Sequence, residues 1–281
     1  MKKKEGDTLK FKRVWSVYFS GTGTTKKIVT SLGKSLSNEL DIQYFEYNFT
    51  PLDTRQKLLS FDNTDLVVFG TPVYAGRVPN VLLKYLSTIE GNDATAIPIV
   101  LFGNRNYDDA LIELRDILEN NNFKTIAAAA FIGEHAFSTV LGKNRPDSDD
   151  LTIVNEFSKK IVDKITTTID LTSPIKVKGT PYPYSGYYQP KKSDGDKIDI
   201  RKVKPITTDN CSNCGVCTSL CPMGSINPKN PKEIIGICIK CCACVKGCPV
   251  DAKQFIDEGY IYHKNDLEKT YIEYKNPEVF I

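Results

Sequence analysis

Short apolar runs alternate with amphipathic stretches through the first 170 residues. Residues 14–19, Val-Trp-Ser-Val-Tyr-Phe, are β-rich and apolar enough for a buried parallel strand. Behind them Ile28, Val29, Leu32 and Leu36 recur on one side of a helix. Residues 42–47 alternate toward a second strand, and residues 65–70 form a third that is almost wholly apolar. Val78, Val81, Leu82, Tyr85, Leu86 and Ile89 give a second helical face, and residues 97–102 a fourth strand. A third helix buries Tyr107 or its neighbour, Ala110, Leu111, Leu114, Ile117 and Leu118. Residues 125–131 supply a fifth strand, and residues 151–165 a last amphipathic helix with Asp149 or Asp150 available as cap. Strands alternating with helices predict a doubly wound α/β domain, with ligands bound beyond the carboxyl ends of its strands.

The loops at those ends carry the candidate chemistry. After the first strand comes Ser20-Gly21-Thr22-Gly23-Thr24-Thr25, whose glycines allow a tight turn. Its hydroxyls and the helix N–H groups behind it suit a phosphate. The Gly-Lys-Ser/Thr ending of a Walker loop is absent, as is the dinucleotide Gly-x-Gly-x-x-Gly. By itself the loop also reads as a serine- and threonine-rich turn. Thr71 to Pro79 follow the third strand and Gly103 to Tyr107 the fourth. Gly133-Glu134-His135 follows the fifth and is in reach of the same crevice, although a lone histidine is more often structural.

The charge changes the picture only locally. The net charge is +3, and residues 171–205 hold eight basic and three acidic side chains. That segment contains Pro174, Pro181, Pro183 and Pro190 among several tyrosines, so it reads as a connector packed across two domains. No basic and aromatic pattern of a nucleic-acid binder occurs, and no run spans a bilayer. The basic start, MKKKEGDTLKFKRV, lacks the apolar core of a signal peptide. A cytoplasmic protein is expected.

The cysteines dominate the rest. Cys211-x₂-Cys214-x₂-Cys217-x₃-Cys221-Pro222 is repeated as Cys238-x₂-Cys241-x₂-Cys244-x₃-Cys248-Pro249, which uses eight of the nine cysteines. In such runs three thiolates bind one cubane and the fourth binds the other. Cys211, Cys214, Cys217 and Cys248 then hold one [4Fe–4S] cluster, and Cys238, Cys241, Cys244 and Cys221 the second. Zinc also accepts four thiolates at a Cys-x₂-Cys spacing, but the duplicated three-plus-one pattern suits it poorly. Cys242 is either a redox-active thiol or a small apolar residue packed beside a cluster.

Residues 206–256 resemble bacterial two-cluster ferredoxins, and residues 13–168 resemble a flavodoxin-type domain. The whole chain is similar to flavodoxin–ferredoxin fusion proteins of anaerobic bacteria. The resemblance implies a five-stranded parallel sheet of order 2-1-3-4-5, followed by a small α+β ferredoxin domain. With the proline- and tyrosine-rich connector, the chain divides at 1–170, 171–205, 206–260 and 261–281, the last a tail whose loose alternation of tyrosine and isoleucine folds back as a strand or wraps. The resemblance also implies FMN. Ser20, Gly21, Thr22, Gly23, Thr24 and Thr25 would bind its phosphate. Thr71, Pro72, Val73, Tyr74 and Gly76 would flank the ring on one side, and Gly103, Asn104, Arg105 and Tyr107 on the other. Arg77 and Arg105 depart from the acidic loops of short flavodoxins and would favour a reduced, anionic flavin. The combination converts single-electron into two-electron traffic. A redox protein partner such as a ferredoxin is the expected donor, since no nicotinamide fingerprint is present. Three functions follow: an oxidoreductase acting on a small quinone-like or flavin acceptor, a carrier relaying electrons between proteins, or a redox sensor.

Overall fold

The computed structural model describes residues 11–168, 171, 173–192 and 194–281. The basic N-terminal stretch up to residue 10 lies outside the described residues.

Strands β1 (Arg13–Tyr18), β2 (Gln43–Asn48), β3 (Asp65–Pro72), β4 (Thr95–Phe102), β5 (Lys124–Thr125) and β6 (Ala128–Ile132) alternate with helices α1 (Thr24–Leu40), α2 (Asn80–Leu86), α3 (Ala110–Asn120) and α4 (Ser148–Thr167). All six strands are parallel, in the order β2-β1-β3-β4-β6, with the short β5 also pairing β4. The expected 2-1-3-4-5 order is therefore present, with the fifth strand broken into two pieces. The apolar runs are continuous because both faces are covered. Val67 and Phe69 join the core on one face, whereas Leu66 and Val68 pack with Ile28, Leu32 and Phe157 on the other.

Helix α4 starts earlier than its apolar spacing predicts. Asp147, rather than Asp149 or Asp150, is the cap: its side chain accepts from the N–H groups of both, and Asp150 returns the bond to the Asp147 N–H. Asp150 is instead the buried partner of Arg145.

In the C-terminal part, β7 (Ile206–Thr207) pairs antiparallel with β8 (Lys253–Gln254), and two single-turn helices, α5 (Val216–Leu220) and α6 (Ala243–Lys246), follow the cysteine loops. The final residues are a helix, α7 (Glu258–Thr270), and a strand, β9 (Glu278–Phe280). β9 runs antiparallel along β6, pairing Ala128 with Phe280 and Ala130 with Glu278. The end of the chain thus covers the edge of the first domain's sheet, which would otherwise present unpaired backbone groups.

The connector is fastened to the first domain. Asp109 accepts from the N–H groups of Thr180 (2.8 Å) and Ser185 (2.7 Å). Arg77 lies between the rings of Tyr184 and Tyr187, and Tyr184 donates to Asp116.

Candidate functional site

The first loop leaves β1 and enters α1 through Gly23, whose φ of 90° is in the left-handed region that glycine tolerates. No N-cap side chain claims the donors of the first turn, and no acidic residue lies there. Of the first-turn donors of this 17-residue helix only the Lys26 N–H is taken, by Ser20, so the N–H groups of Thr24 and Thr25 and a positive dipole end remain on offer. Ser20 shapes the loop rather than the cavity wall: its N–H donates to Thr50 Oγ1 (2.8 Å), and its Oγ accepts from the Lys26 N–H (3.1 Å).

The second loop is a tight turn. Tyr74 and Arg77 exchange both backbone hydrogen bonds, with Ala75 and Gly76 at φ 52° and 79° between them. A Cβ on Gly76 would meet Asp108 Oδ2 at 2.1 Å, so glycine is required there on two counts. Arg77 turns away from the crevice. Glu113 binds it through two bonds of 2.8 and 2.6 Å, and Ser185 O accepts a third. It serves the connector, stacked between Tyr184 and Tyr187, and does not line the cavity.

The third loop divides. Gly103 and Arg105 face the cavity, where the edge of the His135 ring lies against Gly103. Arg105 pairs with Asp108 and stacks over Tyr188 at 4.4 Å. Asn104 and Tyr107 do not reach the cavity wall. Asn104 is buried and donates to the carbonyls of Tyr271 (2.6 Å) and Glu273 (2.8 Å). Tyr107 packs on Phe102 and donates to Glu278. Both hold the C-terminal tail.

One large cavity gathers the three loops. Of the residues expected there, Gly21, Thr22, Thr24, Thr25, Pro72, Val73, Tyr74, Gly76, Gly103 and Arg105 line it. Gly23 lines an adjoining groove with Lys27, Glu134 and Lys246. Thr71 lies beneath the surface in β3, with its Oγ1 buried and unpartnered among the described residues. Part of the wall comes from far along the chain: Tyr188 and Pro190 of the connector, Ile239, Lys240 and Cys241 of the second cysteine run, and His263 of α7. His135 is present too, accepting the Phe137 N–H at Nδ1 (3.1 Å). Burial, followed by the charges of His263, Lys246 and Arg105, pushes His135 down to about 3, so it is neutral at physiological pH. Burial likewise lowers His263, which stacks on Tyr188. Tyr188, Lys240 and His263 have no motif in the sequence. Only the tyrosine density of the connector signalled that it packs.

Lys246 ties the two halves together beside this cavity, donating to Glu134 and to the carbonyls of His135 (2.9 Å) and Ser138 (3.0 Å). Arg55 adds a bond to the carbonyl of Pro222.

The eight cysteines of the two runs ring two further cavities. Cys211, Cys214, Cys217 and Cys248 line one. Cys221, Cys238, Cys241 and Cys244 line the other, together with Cys242, Met223, Ile226 and Phe255. Cys242 is buried, with Sγ 3.6 Å from the Tyr260 hydroxyl. Among the described residues no three His, Cys, Asp or Glu side chains converge as a site for a single metal ion. A cubane asks for a different geometry, with each thiolate on its own iron around a shared space.

The model of the flavodoxin domain family matches residues 16–119. The N-terminal part is accordingly a flavodoxin-like domain. Solved structures similar to it include a flavodoxin from the domain Archaea, at 12% identity over 55% of this chain and 99% of that one, with a TM-score of 0.39. Flavodoxin 2 from Bacillus cereus is similar at 12% identity over 54% and 99%, with a TM-score of 0.40. An NADH:FMN oxidoreductase (EMOB) is similar at 15% identity over 61% and 97%, also with a TM-score of 0.40. No curated protein matches the chain. No helix among the described residues is long and apolar enough to cross a membrane.

Proposed function

We propose that this chain passes electrons between two [4Fe–4S] clusters and FMN, and that a small quinone-like or flavin acceptor is reduced at the FMN. One observation carries the reading. Cys241 belongs both to the ring of four cysteines around the second cavity and to the wall of the large cavity built by the three flavodoxin-type loops.

The residues fit the groups. At the flavin end, the start of α1, with the N–H groups of Thr24 and Thr25 unclaimed by a cap, and the hydroxyls of Thr22, Thr24 and Thr25 suit a single terminal phosphate. Nothing in the loop provides for a pyrophosphate, which favours FMN over FAD. Tyr74 and Val73 supply a wall of the ring site, and Arg105, neutralised by Asp108, is a weaker cation there than the sequence suggests. At the cluster end, the backbone directs N–H groups at thiolates: Ser225 N–H to Cys221 Sγ at 3.3 Å and Ala252 N–H to Cys248 Sγ at 3.2 Å. Such donors stabilise the charged form of a ligand. When bound, the clusters supply one-electron transfer and the flavin accepts one or two electrons. The chain's part is to seat them side by side. Gly21 admits Cys241 to the first loop, and Lys246 and Arg55 hold the second domain against it.

The large cavity is concave and walled by both domains and the connector. That favours a small acceptor over a carrier that exposes only a ring edge to another protein. A redox protein is the natural source of electrons, because no nucleotide fingerprint is present.

The test is anaerobic purification, followed by release of the flavin by heat and chromatography beside FMN and FAD standards, with iron and acid-labile sulfide counted. The expected result is one FMN and about eight irons per chain. FAD in stoichiometric amount, or protein without iron, overturns the corresponding half of the proposal.

A further inference from the structure

The two cysteine runs are an internal duplication, so each position around one cavity has a counterpart around the other. Cys221-Pro222-Met223-Gly224-Ser225-Ile226 corresponds to Cys248-Pro249-Val250-Asp251-Ala252-Lys253. The structure preserves the correspondence, since Ser225 and Ala252 make the same bond to the closing cysteine of their own run. Ile226 then lines the cavity of Cys221, Cys238, Cys241 and Cys244, and Lys253 lines the other. Five residues beyond the closing cysteine, one cavity has an isoleucine and the other a cation.

Lys253 is 2% exposed. Its Nζ donates to Thr207 Oγ1 at 2.6 Å and to the carbonyl of Pro231, and neither acceptor is charged. No carboxylate among the described residues forms an ion pair with it. It is also the one charged side chain lining either cysteine cavity among the described residues. Lys240, despite its place between two cysteines of the second run, spends its ammonium on the carbonyls of Cys238 and Arg201. Burying an ammonium away from any anion is strongly unfavourable. The anions this site offers are the thiolates of Cys211, Cys214, Cys217 and Cys248.

We propose that Lys253 is the counter-charge of the first cluster and sets its reduction potential apart from that of the second. This rests on the reading that the two cavities hold clusters. One-electron reduction adds negative charge inside the ring of cysteines. A fixed cation in the wall favours the reduced form and raises the potential, and Ile226 supplies no such field. Lys253 is a positioning residue for charge, with no contact to the acceptor.

The experiment is a dithionite titration of the anaerobic full-length protein, followed by electron paramagnetic resonance, on wild type, Lys253→Met and Lys253→Arg. Signals are assigned by comparison with Cys217→Ala, in which the first cluster should be missing. Lys253→Met keeps the buried stem but removes the charge. Its first cluster should shift at least tenfold toward the oxidised form at a given potential, about 59 mV for a one-electron couple. The second cluster should shift less, and Lys253→Arg should stay near wild type. Loss of the cluster in Lys253→Met with retention in Lys253→Arg also supports the inference, because charge is then what the site needs. An unchanged first potential in Lys253→Met, with both clusters counted, shows a merely structural lysine and overturns it. So does cluster loss in both variants. Wild-type protein without iron overturns instead the reading on which the inference stands, and the inference with it.

Discussion

A Cβ placed on Gly21 would lie 3.1 Å from the Cβ of Cys241, although 220 residues separate them in the sequence. The same atom would lie 3.6 Å from the Tyr74 hydroxyl. The first loop of the flavodoxin-like domain and the second cysteine run therefore touch closely enough that even a Cβ at Gly21 would press on Cys241. Gly21→Val should push the second domain away from the large cavity. We expect weaker flavin binding and slower flavin reduction by a reduced protein donor, with iron content unchanged. Flavin titration, stopped-flow absorbance and iron analysis on one preparation check this, and wild-type behaviour in the first two would mean that the contact yields freely.

Thr24 opens α1 and lines the large cavity. A hydrogen bond to a charged group contributes roughly 1.5–3 kcal/mol. Thr24→Ala should accordingly weaken flavin binding about tenfold to a hundredfold and leave the cysteine sites untouched. The measurement is the dissociation constant by quenching of flavin fluorescence, and no change would remove this loop from phosphate binding.

Cys221 stands in the first run but lines the cavity of Cys238, Cys241 and Cys244, whereas Cys217 lines the cavity of Cys248. Cys221→Ala should damage the second cluster and spare the first, and Cys217→Ala the reverse. Paramagnetic resonance of the reduced variants distinguishes the two. Loss of the same cluster in both would refute the exchange of fourth ligands.

His135 gives a signature in pH. Burial first, and then neighbouring positive charges, lower its pKa from 6.5 to about 3. Between those values the unfolded chain binds a proton that the folded chain does not. Stability therefore rises with pH across the window and falls as pH drops from 6.5 toward 3. The contribution to the slope is at most about 1.4 kcal/mol per pH unit. His135→Gln should flatten the dependence between about pH 5 and 6.5, above the range where carboxylates titrate. Denaturant unfolding at several pH values measures this, and equal slopes in the two proteins would contradict a neutral His135.

Asn104 adopts a φ of 64° and donates to two carbonyls of the tail. Asn104→Ala strains the backbone and leaves both acceptors unmet, at a cost of roughly 1–3 kcal/mol. Faster amide exchange in residues 278–280, with a lower melting temperature, is the expected result. Unaltered exchange there would mean that β9 holds without Asn104.

The sequence by itself determined the strand order class, and it marked the three loops and the two cysteine runs as candidates. The physical reason is that each of these is local. A strand buried on both faces is apolar throughout, a left-handed turn is most easily made with a glycine such as Gly23 or Gly76, and each cysteine run is a pattern of close spacings. The structure departs from that local pattern where a residue has a distant claimant. Tyr107 sits at the entrance of α3 as an aromatic ligand would, but Phe102 and Glu278 take it. Arg77 lies in the right loop, but Glu113 and the connector hold it. Asn104 is polar and next to the crevice, yet the tail uses both of its donors. Only the tertiary structure decided how the domains meet. Cys241 against Gly21, His263 and Tyr188 over the cavity, and β9 on the edge of the sheet join residues too far apart for any periodicity to connect. Such contacts depend on how two finished surfaces fit, which no spacing along one chain encodes.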